Sequence, residues 1–528
     1  MVAINTNINE QKINRKSEII DIVLFIVISV ATCGFALGCF GFELDANNNN
    51  QNTLVYRMRG YLNLPLLIVV FVAYVALIGL LGYRRYKKSR VLPSKGIWIL
   101  FIAGSLLYLL GPVTAMYGNQ LHSFTCPFDG NIYQVNYTYS IMDRFLTWFC
   151  NTMFFSYFPF ALTYFKTFDK TYMSKAVHFA FYFLIGLGIS MNLYSHIFEF
   201  QDWLHMGENI MSFAGHKNYY GFYELLAIIC AAIYFFQKPN WFVAICLPYF
   251  FLNMLIIPSR TPLILATIVL IFTLIVFPII NRKKYPQFSR YCLIVLGCVV
   301  ILGIAGVIIL RDKIASILSQ FGDLSTMSYR MDHWKMAFSM LNDPYHVIFG
   351  YGRVPFVNIY LDYQTQAIQY MQQFDILEFA HNAYLETWMY TGLLGLGVVL
   401  AQYGYMAYMT IHLLKRRRYF TMVYIVIFLC FLLYGMVEPR MLFSFDAGNI
   451  FFVVVLFWPL YLDYCNCKKE ESPKDLLLHQ LDWSVENLPN RRFFYIVTSI
   501  LWRIRSLPTP LIAMVKPRVI GVSKDSFW

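Results

Sequence analysis

The chain has 528 residues, 58% of them hydrophobic and 13% charged, with a mean hydropathy of +0.53. A soluble globular domain carries roughly a quarter charged residues, so this composition describes a membrane protein and excludes a soluble, disordered or collagen-like chain. The net charge of +13 would suit nucleic acid if the basic residues formed one patch. They are spread over alternate loops instead, which reads as membrane topology, and no nucleic-acid partner is expected.

Polar residues 1–18 form an expected cytoplasmic N-terminus, and the first apolar run is too long for a cleavable signal core. Reading apolar stretches of about 17–25 residues as crossings gives an all-α polytopic protein of about twelve transmembrane helices. They lie near 19–42, 61–83, 97–117, 141–165, 175–195, 220–236, 241–257, 261–280, 291–310, 382–411, 419–437 and 446–463. Alternate connections carry Arg84, Arg85, Lys87 and Lys88, then Lys166 and Lys170, Lys238, Arg282 to Lys284, and Lys415 to Arg418. This positive-inside alternation puts both termini in the cytoplasm.

The chain therefore divides into nine helices over 19–310, an extracytoplasmic loop subdomain at 311–381, three helices over 382–463, and a cytoplasmic tail at 464–528. A loop of about seventy residues is too long for idle linkage. In the tail, Arg491 to Arg505 is basic at both ends and apolar between, as an interfacial amphipathic helix would be. Most of the 11 cysteines lie in apolar segments and read as small hydrophobes. Cys126 is the one placed in an outer loop, so a disulfide framework is not expected.

Chemistry-bearing residues gather at the outer ends of the spans. Arg260 opens one span in Pro258-Ser259-Arg260-Thr261-Pro262, where it either snorkels to headgroups or binds an anionic ligand. The long loop supplies Arg330 and Trp334, then Gly350-Tyr351-Gly352-Arg353, then His381-Asn382 before the next span. Arginine forks suit phosphate oxygens and a neutral histidine suits proton abstraction. Blander roles stay open: Arg330 pairing with an acid, the glycines serving a turn, Asn382 capping the following helix. Gly392 and Gly395, at i and i+3, are expected to admit a neighbouring helix. Gly215-His216-Lys217-Asn218 precedes another span at the same depth. Glu224, Glu386 and Glu438 are candidate cavity-lining acids at helix ends. There is no Asp-x-Asp pair on the outer loops and no cluster at metal-ligand spacing, so a metal-independent site without cofactor is expected.

Phe379-Ala380-His381-Asn382-Ala383-Tyr384-Leu385-Glu386 followed by Gly392-Leu393-Leu394-Gly395 resembles the signature of the bacterial O-antigen ligase and polymerase superfamily. Arg330 with Trp334, Gly215 to Asn218, and Ser259-Arg260-Thr261 are similar to its other motifs, in order, over about 213–450. The resemblance implies a membrane glycosyltransferase of surface polysaccharide biosynthesis at the outer face of the bacterial plasma (inner) membrane, using a glycan on undecaprenyl diphosphate as donor. The acceptor is a second lipid-linked glycan in a polymerase, or lipid A core or another surface acceptor in a ligase. It also implies a flippase and a chain-length regulator as partners, besides membrane lipid. Carried over by position, Arg260 and Arg330 are candidates for the diphosphate and His381 for the acceptor hydroxyl. Arg353 is added by proximity. Two departures weaken a strict ligase reading: Leu396-Gly397 stands where Gly-Thr-Thr is usual, and Ile264 where leucine is usual. The Gly-His-Lys-Asn form is closer to the polymerase branch, which is the favoured reading. A transporter or flippase would instead need charges at mid-depth and paired broken helices, and a non-catalytic scaffold would tolerate loss of His381.

Overall fold

A computed structural model describes residues 15–29, 31, 64–89, 102, 119–205, 210–214, 217–257, 259–309, 325–370, 380–438 and 456–470. His216, the expected span at 97–117 except for residue 102, most of that at 446–463 and the tail beyond 470 lie outside the described residues. The chain clusters into two compact units, Met1–Cys467 and Lys468–Trp528, and the candidate site belongs to the first.

The elements are α1 (15–29), α2 (Leu64–Ser89), β1 (Asn119–Thr125), β2 (Ile132–Thr138), α3 (Ile141–Phe165), α4 (Lys170–Phe198) and α5 (Phe200–His205). There follow α6 (Lys217–Gln237), α7 (Trp241–Ile256), α8 (Arg260–Asn281) and α9 (Pro286–Ile309). Then come α10 (Ser325–Ser339), α11 (Pro344–Phe349), α12 (Arg353–Ala367), α13 (Ala383–Lys415), α14 (Met422–Val437) and α15 (Trp458–Glu470). Among the described residues six helices are long and apolar enough to cross a membrane: Ile68–Ser89, Lys170–Phe198, Lys217–Gln237, Arg260–Asn281, Ala383–Lys415 and Tyr419–Val437. Trp241–Ile256 and Pro286–Ile301 are shorter apolar helices. The protein is thus a helical, multi-pass membrane protein.

Polar caps start several of these helices. Ser140 and Asp143 form a reciprocal capping box at α3, each backbone N–H donating to the other's side chain at 3.0 Å. Asp169 caps α4 and Asn240 caps α7 by the same logic. α6 is apolar on every face and is buried on every face, packed by α4, α7, α8 and α14. Short connections make successive helices antiparallel, so the first turns of α6, α8 and α13 and the last turn of α14 share one end of the bundle.

At the opposite end the basic residues of α2 are more than an orientation signal. Arg85 Nη1 bonds Glu18 at 2.8 Å and Asp21 at 3.1 Å, Lys88 bonds Asp21 at 2.7 Å, and Arg84 bonds Asp21 as well. Arg85 also donates to the Thr167 carbonyl and lies over Phe168 at 4.3 Å. The cluster ties α1, α2 and the α3–α4 turn together.

Two features depart from the sequence reading. The connection before α3 folds as an antiparallel hairpin, pairing Asn119 with Thr138 and Thr125 with Ile132. Its alternation buries His122, Phe124 and Val135 while Asp129-Gly130, with Gly130 at φ +71°, makes the turn. β2 rests against α12. Secondly, α13 is broken at Gly392 (φ +67°, ψ −171°). The expected close approach at this glycine is real, but the visitor is the α11 backbone at Ile348 and Phe349 rather than a membrane helix. At Gly395 a Cβ would meet Thr391 of the same helix.

Candidate functional site

Burial of Asp332, His333, Met336, Ala337 and Met340 fixes the inward phase of α10 and leaves Arg330 and Trp334, one turn apart, half-buried at its edge. Arg330 Nη2 donates to Glu438 Oε1 at 2.9 Å. Glu438 is the C-cap of α14: its N–H donates to the Tyr434 carbonyl at 3.0 Å, and its own carbonyl accepts the Ala383 N–H at 3.1 Å. That last bond staples the end of α14 to the start of α13.

The same staple shapes the His381-Asn382 corner. Asn382 caps α13, its side chain accepting the Tyr384 and Leu385 N–H groups at 3.1 Å each, so the capping role open in the sequence is the observed one. His381, just before it, holds φ +50°, an uncommon conformation for a non-glycine residue. Its Nδ1 lies 3.8 Å from Glu438 Oε2, buried and without a hydrogen-bond partner. One carboxylate thus faces Arg330 with one oxygen and His381 with the other.

A second group stands at the same end. Ser259, the N-cap of α8, turns its hydroxyl to Asn218 Oδ1 at 3.2 Å rather than to its own helix. Gly221 permits this, because a Cβ there would lie 2.8 Å from the Ser259 Cβ and 3.2 Å from Pro262. The first turns of α6 and α8 therefore sit side by side, with half-buried Lys217 and exposed Arg260 as their first residues. Helix N-termini and cations together favour an anion. Phe222 of α6 stacks on Tyr434 of α14 at 5.5 Å, linking this group to the Glu438 turn.

The structure thus joins Arg330 to Glu438 by a direct bond and sets His381 and the Asn382 cap beside that pair, and it brings Asn218 together with Ser259-Arg260. Arg353 begins α12, beyond a clip in which the Tyr351 N–H donates to Met389 at 2.7 Å and the Gly352 N–H to Tyr390 at 3.2 Å. Gly350 and Gly352, at φ +72° and +81°, serve that clip. Glu386 is buried in the first turn of α13, accepting from the Tyr390 hydroxyl at 3.4 Å. Glu224 is fully buried between helices, bonded to Asn192 at 2.7 Å, which in turn accepts from the Tyr220 hydroxyl at 2.6 Å. Asn192 escaped the sequence reading, although a polar amide inside an apolar run is its signal.

A further polar cluster, also unread in the sequence, fastens the hairpin. Asp343 bonds the His346 ring, and His346 lies against His122 with ring centroids 5.5 Å apart. Burial, together with the neighbouring His346, pushes the His122 pKa down to about 4 against the opposing pull of Asp343. Burial alone would raise the Asp343 carboxyl, but its bond to His346 and two backbone N–H groups hold it below its ordinary value. Among the described residues no three His, Cys, Asp or Glu come together as a metal-binding group.

Residues 243–400 match the family model described as O-antigen ligase. The match runs from α7 through the broken half of α13 and contains Arg260, Arg330, Arg353 and His381, while Lys217, Asn218 and Glu438 lie outside it. No curated protein matches the chain.

Proposed function

We propose that this multi-pass membrane protein, whose residues 243–400 match the O-antigen ligase family, is a glycosyltransferase that moves a glycan from undecaprenyl diphosphate to an acceptor hydroxyl. The favoured reaction joins repeat units, and its setting is the outer face of the plasma membrane with both termini cytoplasmic. The observation that carries the reading is the convergence of Arg330 and His381 on Glu438, beside the helix start that bears Arg260.

In this reading the acceptor oxygen attacks the anomeric carbon while the bond from that carbon to the diphosphate oxygen breaks. The electron pair leaves on undecaprenyl diphosphate, and Arg330 and Arg260 balance its growing charge, with Lys217, Asn218 and Arg353 lending further donors. His381 is the catalytic residue that receives the acceptor proton on Nε2. Arginines here supply the electrostatic role that a divalent cation fills elsewhere, so transfer is expected without metal. A donor made inside the cell needs a flippase to deliver it, and product length needs a regulator. The alternative is the ligase reading, in which lipid A core or another surface acceptor takes the glycan, and its support is the description of the matching family model.

The test is purified full-length protein in liposomes with an undecaprenyl-diphosphate oligosaccharide and EDTA, the lipid products being resolved by size. A ladder of multiples establishes the polymerase. Donor consumed only when a separate acceptor is added establishes the ligase, and donor untouched under both regimes overturns the reading. Arg260→Ala, Arg330→Ala and His381→Ala should each abolish product at unchanged protein level.

A further inference from the structure

We infer that Glu438 is a positioning residue that works as an exchange clamp, holding Arg330 while the site is empty and turning to His381 when a diphosphate takes Arg330. The inference rests on the proposed transfer reaction and deepens it by naming what the site does between its empty and loaded states.

Three observations carry it. The Arg330–Glu438 pair is a 2.9 Å charge-assisted bond with both partners partly withdrawn from water, their side chains 27% and 9% exposed. With one N–H of its fork and its charge committed to Glu438, Arg330 offers a phosphate its full fork and uncompensated charge only when the carboxylate lets go, so Glu438 and the ligand compete for one cation. On the other side of the same carboxylate, His381 Nδ1 is buried without a hydrogen-bond partner and 3.8 Å from Glu438 Oε2, beyond hydrogen-bond range. A buried donor left unpaired is costly, and closing less than an ångström satisfies it. Finally, the Glu438 backbone is fixed from both sides, by Tyr434 and by Ala383, so only its side chain has to turn.

The exchange has a chemical consequence. With Arg330 bonded to the carboxylate, its charge draws on Glu438 and weakens what Glu438 offers the histidine. Once the diphosphate accepts Arg330, the released carboxylate accepts the Nδ1–H, which fixes the tautomer with a basic Nε2 and steadies the imidazolium as the acceptor proton arrives. Base strength at His381 then depends on a loaded donor, and an acceptor hydroxyl is activated only when a glycan is present to receive.

The experiment compares wild type, Glu438→Gln and Glu438→Asp, each full length in liposomes, by donor KM, kcat and direct binding of undecaprenyl diphosphate. Removing the competitor frees Arg330, so Glu438→Gln should bind undecaprenyl diphosphate about threefold or more tighter, because a ligand no longer has to displace the clamp. Its kcat should fall by about tenfold or more, because Nδ1–H has lost its acceptor. Glu438→Asp keeps the charge but cannot span both partners, so kcat should fall with binding near wild type. A carboxylate that only staples the fold predicts the opposite, weaker binding with lowered thermal stability in both variants. That result overturns the inference, as do kcat values within twofold of wild type in both or failure of both to fold. Binding is read without turnover, so wild type that binds undecaprenyl diphosphate yet transfers nothing sinks the transfer reading separately.

Discussion

The Tyr351 amide donates to the Met389 carbonyl at 2.7 Å, and this bond exists because Gly392 breaks α13 three residues later. A break frees the carbonyls of the preceding turn, and Met389 and Tyr390 give theirs to the Gly350–Gly352 backbone instead of to their own helix. The loop subdomain is thereby locked to the helix whose first turn follows His381.

Gly392→Ala should dismantle this lock. A non-glycine residue at φ +67° and ψ −171°, a region essentially reserved for glycine, costs about 1–3 kcal/mol, and the new methyl meets the Ile348–Phe349 backbone, adding about 1–3 kcal/mol. Gly397, further along the same helix, has open space around its Cβ position, and Gly397→Ala is expected to leave stability unchanged or raise it by up to about 1 kcal/mol. Thermal unfolding of the two variants in the same detergent checks the contrast; equal melting temperatures would remove the lock from the account.

The hairpin should loosen as the outer medium is acidified. His122 faces the Tyr139 hydroxyl at 3.4 Å, the rings of His346, Tyr351 and Phe124, and the charge of Asp343. Undocked, it titrates near its ordinary 6.5; docked, at about 4. Between those values the undocked form takes up a proton the docked form refuses, so docking is at full strength above about 6.5 and weakens as pH falls toward 4. Asp343, held below its ordinary value, adds its own loss only at still lower pH. Amide exchange of residues 119–138, corrected for intrinsic rates, should quicken between pH 7.5 and 5, and His122→Gln should flatten the dependence.

How far the sequence carries this architecture depends on the range of the interaction. Long apolar runs are local signals, so α4, α6, α8, α13 and α14 fall close to the expected spans. Asn382 as a cap is equally local. The acid that holds Arg330 stands 108 residues away, and nothing near Arg330 points to it. Gly392 reads as a packing glycine because the sequence does not show what lies against it. The hairpin went unread for a different reason: between two apolar runs, a short polar alternation with Asp129-Gly130 looks like a plain connection.

Among the charges of α1 and α2, Asp21 should matter most. Its side chain is fully buried and accepts from Arg84, Arg85 and Lys88, whereas Glu18 is 12% exposed and, among the described residues, forms ion pairs with Arg85 and Lys88. Asp21→Asn leaves Arg85 and Lys88 to share Glu18 and takes from Arg84 the acid it bonds, and breaking a buried pair costs about 3–5 kcal/mol. Glu18→Gln removes the more exposed partner and should cost clearly less. Melting temperatures of the two variants give the order; a reversed order would move the weight of the cluster to Glu18.

Gly221→Ala should separate position from stability at the mouth of the site. The added methyl lies 2.8 Å from the Ser259 Cβ, so the first turn of α8 has to move away from α6 by a few tenths of an ångström. That movement lengthens the Ser259–Asn218 bond and carries Arg260 with it. Buried contacts elsewhere along α6 are untouched, so the protein should fold with a small loss of stability. A misplacement of about 1 Å costs on the order of a hundredfold in a well-oriented reaction, and a shift of a few tenths should cost about tenfold in kcat/KM. Gly186→Ala, in open space on α4, is the matched control. Equal donor turnover in the two variants would show that the α6–α8 contact does not set the position of Arg260.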